Sequence, residues 1–178
     1  MTDRAQRERF ERLVLAHLDA AYALARWLTR NEHDAEDVVQ EAYLRAYRYF
    51  GGFRGDNHRA WLMAIVRNTC FSWLERNRAP EGVLQRARAA AGDDALLAAG
   101  APANNPEAAL IAASDGALAR RLLEELPPEF REVLVLRELQ ELSYREIAEI
   151  TGVPEGTVMS RLARARARLR HLWQERTA

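Results

Sequence analysis

The sequence predicts an all-α chain: two small helical domains joined by a flexible linker, the C-terminal one a helix-turn-helix. Three observations carry this. Apolar residues recur at helical spacing through residues 4–76 and again through 107–175. Residues 77–106 are rich in alanine and glycine, hold Pro80, Pro102 and Pro106, and lack aromatic side chains. That is the composition of a tether, with little to bury. Strand-like alternation occurs on neither side of it.

The first helical run covers 4–29, with Phe10, Leu13, Val14, His17, Leu18, Ala21, Leu24, Ala25 and Leu28 on one face. After the polar break at Arg30 to Glu32, acids gather where the next helix begins, near the positive end of its dipole. That helix runs to about Phe50 and turns Val39, Ala42, Tyr43, Ala46, Tyr47 and Phe50 inward. The three glycines of GGFRGDN break the pattern. Asp56 or Asn57 can cap a third helix, which carries Trp61, Leu62, Ile65, Val66, Thr69, Trp73 and Leu74.

Beyond the tether, Leu110, Ile111, Leu118, Leu122 and Leu126 support one helix, and LPPEF stops it and starts another. The second presents Phe130, Val133, Leu134, Leu136 and Leu139. Ser143 and Glu146 have the S-x-x-E spacing of a capping box, which marks a helix start. Gly152 stands where that helix must end and Pro154 where the next can begin. A short helix, a glycine turn and a longer helix make a helix-turn-helix.

Composition narrows the possible functions. The 178 residues carry 26 basic and 26 acidic side chains, and every basic one is arginine. Neutrality conceals a segregation: Asp34, Glu36, Asp37 and Glu41 cluster near the front, while arginines crowd the end. Two different partners are implied. No apolar run approaches the roughly 20 residues needed to span a bilayer. The N-terminus has no apolar signal-peptide core, so membrane insertion is not expected and a cytoplasmic location is. The single cysteine, Cys70, supplies no disulfide and no thiol cluster for zinc. His17, His33, His58 and His171 are scattered and make none of the Glu-x-x-His pairs of a di-metal bundle. No metal, cofactor or catalytic group is expected, and the chain does not read as an enzyme.

On a helical wheel of 154–173, Val158, Leu162, Ala165, Leu169 and Leu172 form a narrow apolar stripe. Arg161, Arg164 and Arg168 flank it on one side, Arg166 and Arg170 on the other. Thr157, Met159 and Ser160 are exposed near the helix start, the positions that enter the major groove in a helix-turn-helix. The arginines can then reach phosphates, which fix register without reading sequence.

Two segments carry a resemblance. DAEDVVQEAYLRAYRYFGGFRGDNHRAWLMAIVRN, residues 34–68, closely resembles region 2 of bacterial RNA polymerase sigma factors. LPPEFREVLVLRELQELSYREIAEITGVPEGTVMSRLARARARLR, residues 126–170, resembles region 4 of the same proteins. Small size and a plain linker match the extracytoplasmic-function (ECF) group of the sigma-70 family.

The resemblance implies an alternative sigma factor. It would bind core RNA polymerase and direct promoter-specific initiation, with an anti-sigma factor controlling it from outside. Docking on the β′ clamp helices would fall to Asp34, Asp37, Gln40, Glu41 and Leu44. A weaker contact with core would come from region 4. Capture of the melted −10 strand would fall to Phe53, Arg54, Ile65 and Asn68, with Arg67 on backbone phosphate; Phe53 also suits an ordinary core position. Duplex −35 DNA would meet Arg137, Thr157, Met159, Ser160, Arg161 and Arg164. Met159 and Ala163 depart from the basic and bulkier residues usual there. The linker would cross the polymerase surface and enter the RNA exit path.

The competing reading is a regulator that binds an operator as a dimer. It predicts half-sites about one helical turn apart and binding to duplex without polymerase. It leaves the acidic helix near the front unexplained.

Overall fold

The computed structural model describes residues 3–77 and 116–178, and every regular element among them is helical. All of the expected tether except Asn77 lies outside the described residues, as do Leu110 and Ile111. The described residues form two compact units. One comprises those of Met1–Arg78 together with Arg145–Gly152, the other those of Ala79–Tyr144 together with Val153–Ala178.

The first unit begins with α1 (Asp3–Val14), a single 3-10 turn (Leu15–His17) and α2 (Leu18–Thr29). The expected single helix over 4–29 is therefore interrupted. Each residue of a 3-10 turn rotates farther than in an α-helix, so three of them shift the apolar stripe by about 60°. Leu18, expected inside, is exposed as a result, while Ala21, Leu24, Ala25 and Leu28 are fully buried. Helix α2 ends on Arg30, whose left-handed φ of 59° stops the chain without glycine.

Asn31 opens α3 (Glu32–Phe50) by accepting the Asp34 amide at 3.1 Å. Asn57 does the same for α4 (His58–Asn77), taking the Ala60 amide at 2.9 Å. A cap of this kind stabilises a helix by about 1 kcal/mol. Helices α2, α3 and α4 pack mutually, and α1 adds to α4. Alanines at 21, 25, 35, 42 and 46 are fully buried and allow close approach. Phe10 meets Tyr43, Tyr47 and Phe50 edge-on, with ring centroids 6.3, 5.2 and 5.3 Å away. Trp61 and Trp73, expected in the core, are half-buried.

In the second unit α5 (Gly116–Glu125) leads through Leu126 to α6 (Pro128–Leu134), which runs directly into a π turn (Val135–Leu139). The Gln140 amide donates to the Val135 carbonyl at 3.1 Å, the five-residue spacing that defines such a turn. The extra residue rephases the helix and leaves Leu139, expected inside, exposed. Residues Phe130 to Leu136 are buried in succession, so α6 is the central rod of this unit.

Helix α7 (Tyr144–Thr151), which belongs to the first unit from Arg145 onward, begins directly after Ser143. Gly152 follows with φ 71°, a left-handed conformation that favours glycine. Pro154 then caps α8 (Glu155–Thr177). Helix, tight turn and helix succeed one another in the expected order. Val158, Leu162, Ala165, Leu169 and Leu172 of α8 are buried, and the helix packs on α5 and α6. Each fully buried leucine adds roughly 1.5–3 kcal/mol.

Candidate nucleic-acid interface

In the first unit the stripe Asp37, Gln40, Glu41 and Leu44 lies along α3. Asp37 and Gln40 are exposed, Asp34 and Glu41 partly so, and Leu44 is 58% exposed. An isolated leucine on a surface needs no explanation. One set among acids on a solvated helical stripe suits a protein contact with a cationic rim. Glu41 is shared with the unit itself, since it pairs with Arg45 one turn on and with Arg76 of α4 at 3.7 Å.

Next to this stripe, Leu15, Leu18, Tyr22, Val39 and Tyr43 line an open groove of about 520 Å³, with Asp19, Glu36 and Gln40 at its edge. The Tyr43 hydroxyl donates to the Val14 carbonyl at 3.2 Å. Burial, followed by the nearby Asp19 charge, pushes its pKa up to about 12.

The residues expected at the −10 strand divide into two arrangements. Phe53 is half-buried, its ring 4.7 Å from Trp61 at a shallow 30° tilt and 5.2 Å from His58. It closes over the aromatic cluster as much as it faces out. Gly55 makes room for it: a Cβ there would lie 2.7 Å from Phe53 Cζ. Arg54 is exposed and donates to the Gly51 carbonyl at 2.9 Å, bracing the same loop.

The second arrangement lies on α4. Asn68 is exposed and Ile65 half-buried. The Arg67 guanidinium lies 4.0 Å over the Phe71 ring and donates to Asn68 Oδ1 at 3.3 Å. Arg67 thus leans along its own helix.

A second cavity, of about 500 Å³, is lined by Arg12, Leu13, Ala16, His17, Asp56, Asn57, His58 and Arg59. Burial, then the charges of Arg59 and His58, hold the His17 pKa below its usual value.

In the second unit the early residues of α8 occupy the expected places. Met159 is 50% exposed, Thr157 and Ser160 are partly so, and the Ser160 hydroxyl donates to the Thr157 carbonyl at 3.0 Å. The arginines depart from the simple picture of a solvated basic flank. Arg161 Nη1 lies 3.9 Å from Glu132 Oε1, and the Glu132 side chain is 0% exposed. Arg166 pairs with Glu138 at 2.6 Å. Arg168 is exposed, whereas Arg164 and Arg170 are partly so. Arg137 sits inside the π turn, donates to the Leu142 carbonyl at 2.8 Å and stacks 4.7 Å over the Tyr144 ring.

Sequence reasoning missed three charged residues of α6 and its π turn. Arg131 is buried and donates to the carbonyls of Leu123, Glu124 and Leu126 at 3.0, 3.0 and 2.7 Å. It adds a charged donor to carbonyls at and just beyond the C-terminal end of α5. Glu132 and Glu138 face arginines of α8. The signal was available in FREVLVL, where apolar residues on both sides of Arg131 and Glu132 leave that charged pair little solvated face.

Among the described residues no helix is long and apolar enough to cross a membrane, and no three or more His, Cys, Asp or Glu side chains form a group suited to a metal ion.

Comparison with known proteins agrees with this layout. Residues 13–79 match the family description "Sigma-70 region 2" and residues 117–169 match "Sigma-70, region 4". The chain is 35% identical over 168 residues to the ECF RNA polymerase sigma factor SigE of Mycolicibacterium smegmatis, covering 94% of this chain and 63% of that protein. It therefore spans just under two thirds of that relative. The RNA polymerase sigma-H factor of Pseudomonas aeruginosa is also 35% identical over 168 residues, 92% of this chain and 85% of the relative. The ECF RNA polymerase sigma-E factor of Escherichia coli is 38% identical over 138 residues, covering 75% and 70%.

Two solved structures are similar at 27% identity and a TM-score of 0.66. One is the sigma factor RpoE of Bartonella quintana in complex with the anti-sigma factor NepR, covering 94% of this chain and 98% of that one. The other is CnrH in complex with the cytosolic domain of CnrY, covering 95% and 90%.

Proposed function

The chain belongs to the sigma-70 family of RNA polymerase sigma factors, and from that membership we propose that it acts as an alternative sigma factor of the ECF kind. It binds core RNA polymerase and confers promoter choice, while the polymerase supplies the chemistry; the protein itself is no enzyme. One observation carries the reading: region 2 and region 4 matches occur in order in one chain. A dimeric operator-binding regulator accounts for the second match and leaves the first idle.

Function divides among three parts: residues 4–76, the tether 77–106 and residues 107–175. The exposed stripe of α3, from Asp34 to Leu44, docks on the β′ clamp helices, where acidic side chains and a leucine meet a basic rim and an apolar centre. The loop Phe53–Arg54 and the α4 face Ile65–Asn68 take up the melted −10 strand. The Asn68 amide offers both a donor and an acceptor to a base edge, and a base reaches it only once unstacked and unpaired. The open promoter is favoured because this pocket binds that state alone.

Thr157, Met159, Ser160 and Arg164 meet duplex −35 DNA, supported by Arg137 in the preceding turn. With Met159 and Ala163 in place of basic and bulkier residues, the chain reads its own −35 sequence, since each mismatch costs about 1–3 kcal/mol. The protein works in the cytoplasm, where polymerase and promoter are. The similar RpoE structure was solved with the anti-sigma factor NepR and the CnrH structure with the cytosolic domain of CnrY, and this chain too is held by an anti-sigma factor until a signal releases it.

Gel filtration of the protein with bacterial core polymerase, followed by transcription from the co-eluting fraction, tests the reading. Co-elution and promoter-dependent transcripts are expected. A protein that stays apart from core, yet shifts duplex DNA alone, belongs with the regulators. Asn68→Ala should lower open-complex formation while core binding persists; lost core binding would remove Asn68 from the −10 site.

A further inference from the structure

Helix α8 has a narrow apolar stripe, and such a helix can roll about its own axis with little loss of burial. Roll matters because it decides which early residues face DNA. Two ion pairs on opposite flanks of the stripe oppose it. Arg161 reaches Glu132 of α6 on one side, and Arg166 reaches Glu138 of the π turn on the other. The two arginines lie about 140° apart around the helix. They therefore bracket the buried line Val158, Leu162, Ala165 and Leu169.

The acids are built for this task. Glu132 is fully buried in the middle of α6, and the Glu138 side chain is only 7% exposed. Removing the partner of a carboxylate that deep is costly, because the charge is left buried and uncompensated. The Arg161 side chain is 20% exposed, and its Nη1 atom is buried 3.9 Å from Glu132 Oε1, an ionic contact without a hydrogen bond. A guanidinium held inward in this way is poorly placed to neutralise a phosphate.

We propose that Glu132 and Glu138 are positioning residues for −35 recognition: through Arg161 and Arg166 they set the roll of α8, and Arg161 is an internal clamp rather than a phosphate contact. Ser160 and Ala163 then stand opposite the buried stripe, with Arg164 at their edge. The inference rests on the sigma-factor reading given above.

The test uses holoenzyme reconstituted from the full chain and core polymerase on a promoter recovered by the co-elution experiment. Binding is measured against salt, and against the same fragment with a scrambled −35 element. A lost phosphate contact lowers the slope of log K against log salt by about 0.9. Arg161→Met should leave that slope unchanged. Glu132→Gln should reduce preference for the true −35 element about tenfold with the slope intact.

The double variant Glu132→Leu, Arg161→Met replaces the buried pair by apolar neighbours, an exchange that folds well elsewhere. It should keep the wild-type slope and regain part of the preference. It also serves if Glu132→Gln does not fold. A slope reduced in either arginine variant would overturn the assignment. So would a Glu132→Gln protein that melts lower yet keeps its full −35 preference, since that is a merely structural role. Wild-type holoenzyme indifferent to the scrambled element would defeat the sigma-factor reading itself, and the proposal with it.

Discussion

Helices α3 and α8 each carry a charged stripe, and the two stripes differ in what their charges are committed to. On α3, Asp37 and Gln40 stand exposed beside a 58% exposed Leu44, and only Glu41 is shared with neighbouring arginines. On α8, Arg161 and Arg166 turn back to acids of α6 and its π turn. Charge on a helix wheel shows which side is polar. The facing helix decides whether that side meets solvent or an internal partner, and a buried acid opposite is the deciding feature.

The sharpest way to break this comparison is to remove a committed charge. Arg131 donates to three carbonyls at the end of α5 from a buried position. Arg131→Met keeps the volume and removes those three bonds. Hydrogen bonds from charged donors contribute about 1.5–3 kcal/mol each, and a buried group left unsatisfied costs about 1–3 kcal/mol. A loss of about 3 kcal/mol or more is expected in urea unfolding of the full chain. A loss under about 0.5 kcal/mol, typical of a surface site, would show that the charge is not committed.

The converse substitution sharpens the other side. Leu44→Asp adds a charge to an exposed position, so stability should stay within about 0.5 kcal/mol of wild type. Affinity for core polymerase should fall by about tenfold or more if Leu44 is the apolar centre of the docking face. Unchanged affinity in a titration of core would move the docking face elsewhere on the first unit.

Much of this was legible in the sequence. Helical periodicity, the acid cluster after Arg30, the Asp56 or Asn57 and proline starts and the glycine stop located the helices, because each rests on interactions within one or two turns. The interruption at Leu15–His17 and the π turn at Val135–Leu139 were not legible. Both depend on how a helix accommodates its neighbours, and both rephase a stripe, which is why Leu18 and Leu139 were expected inside. Candidate site residues followed the same division. Leu44 and Met159 are exposed where a one-helix wheel puts them. Arg161, Arg137 and Phe53 are not free in that way, since their partners Glu132, Leu142 and Trp61 lie on other elements or beyond a turn. A wheel holds no information about those.

Phe53 allows an intermediate case to be tested, an aromatic half committed to the core and half available to a base. Gly55→Ala places a Cβ only 2.7 Å from Phe53 Cζ. Overpacking of this kind costs about 1–3 kcal/mol, unless the ring swings outward from Trp61. Weaker open-complex formation with unchanged core binding is expected. Promoter opening at the wild-type rate would assign Phe53 wholly to the core.

The smallest effect concerns a charge suppressed rather than committed. His17 lines a cavity with Arg12, Asp56, His58 and Arg59, and burial followed by Arg59 and His58 lowers its pKa. Because the folded value lies below the unfolded value of about 6.5, the unfolded chain takes up the proton first as pH falls. Stability from this site is complete above about pH 6.5, declines as pH falls through that value and levels off below the folded pKa. The urea midpoint should therefore drop between about pH 7.5 and about pH 5.5, and less so in His17→Gln, which has no proton to gain. A variant with the wild-type pH dependence would assign the drop to other groups and leave His17 a plain polar lining. Replacing Arg59 by Gln separates the two causes. If its charge matters beside burial, the decline in Arg59→Gln should be smaller than in wild type.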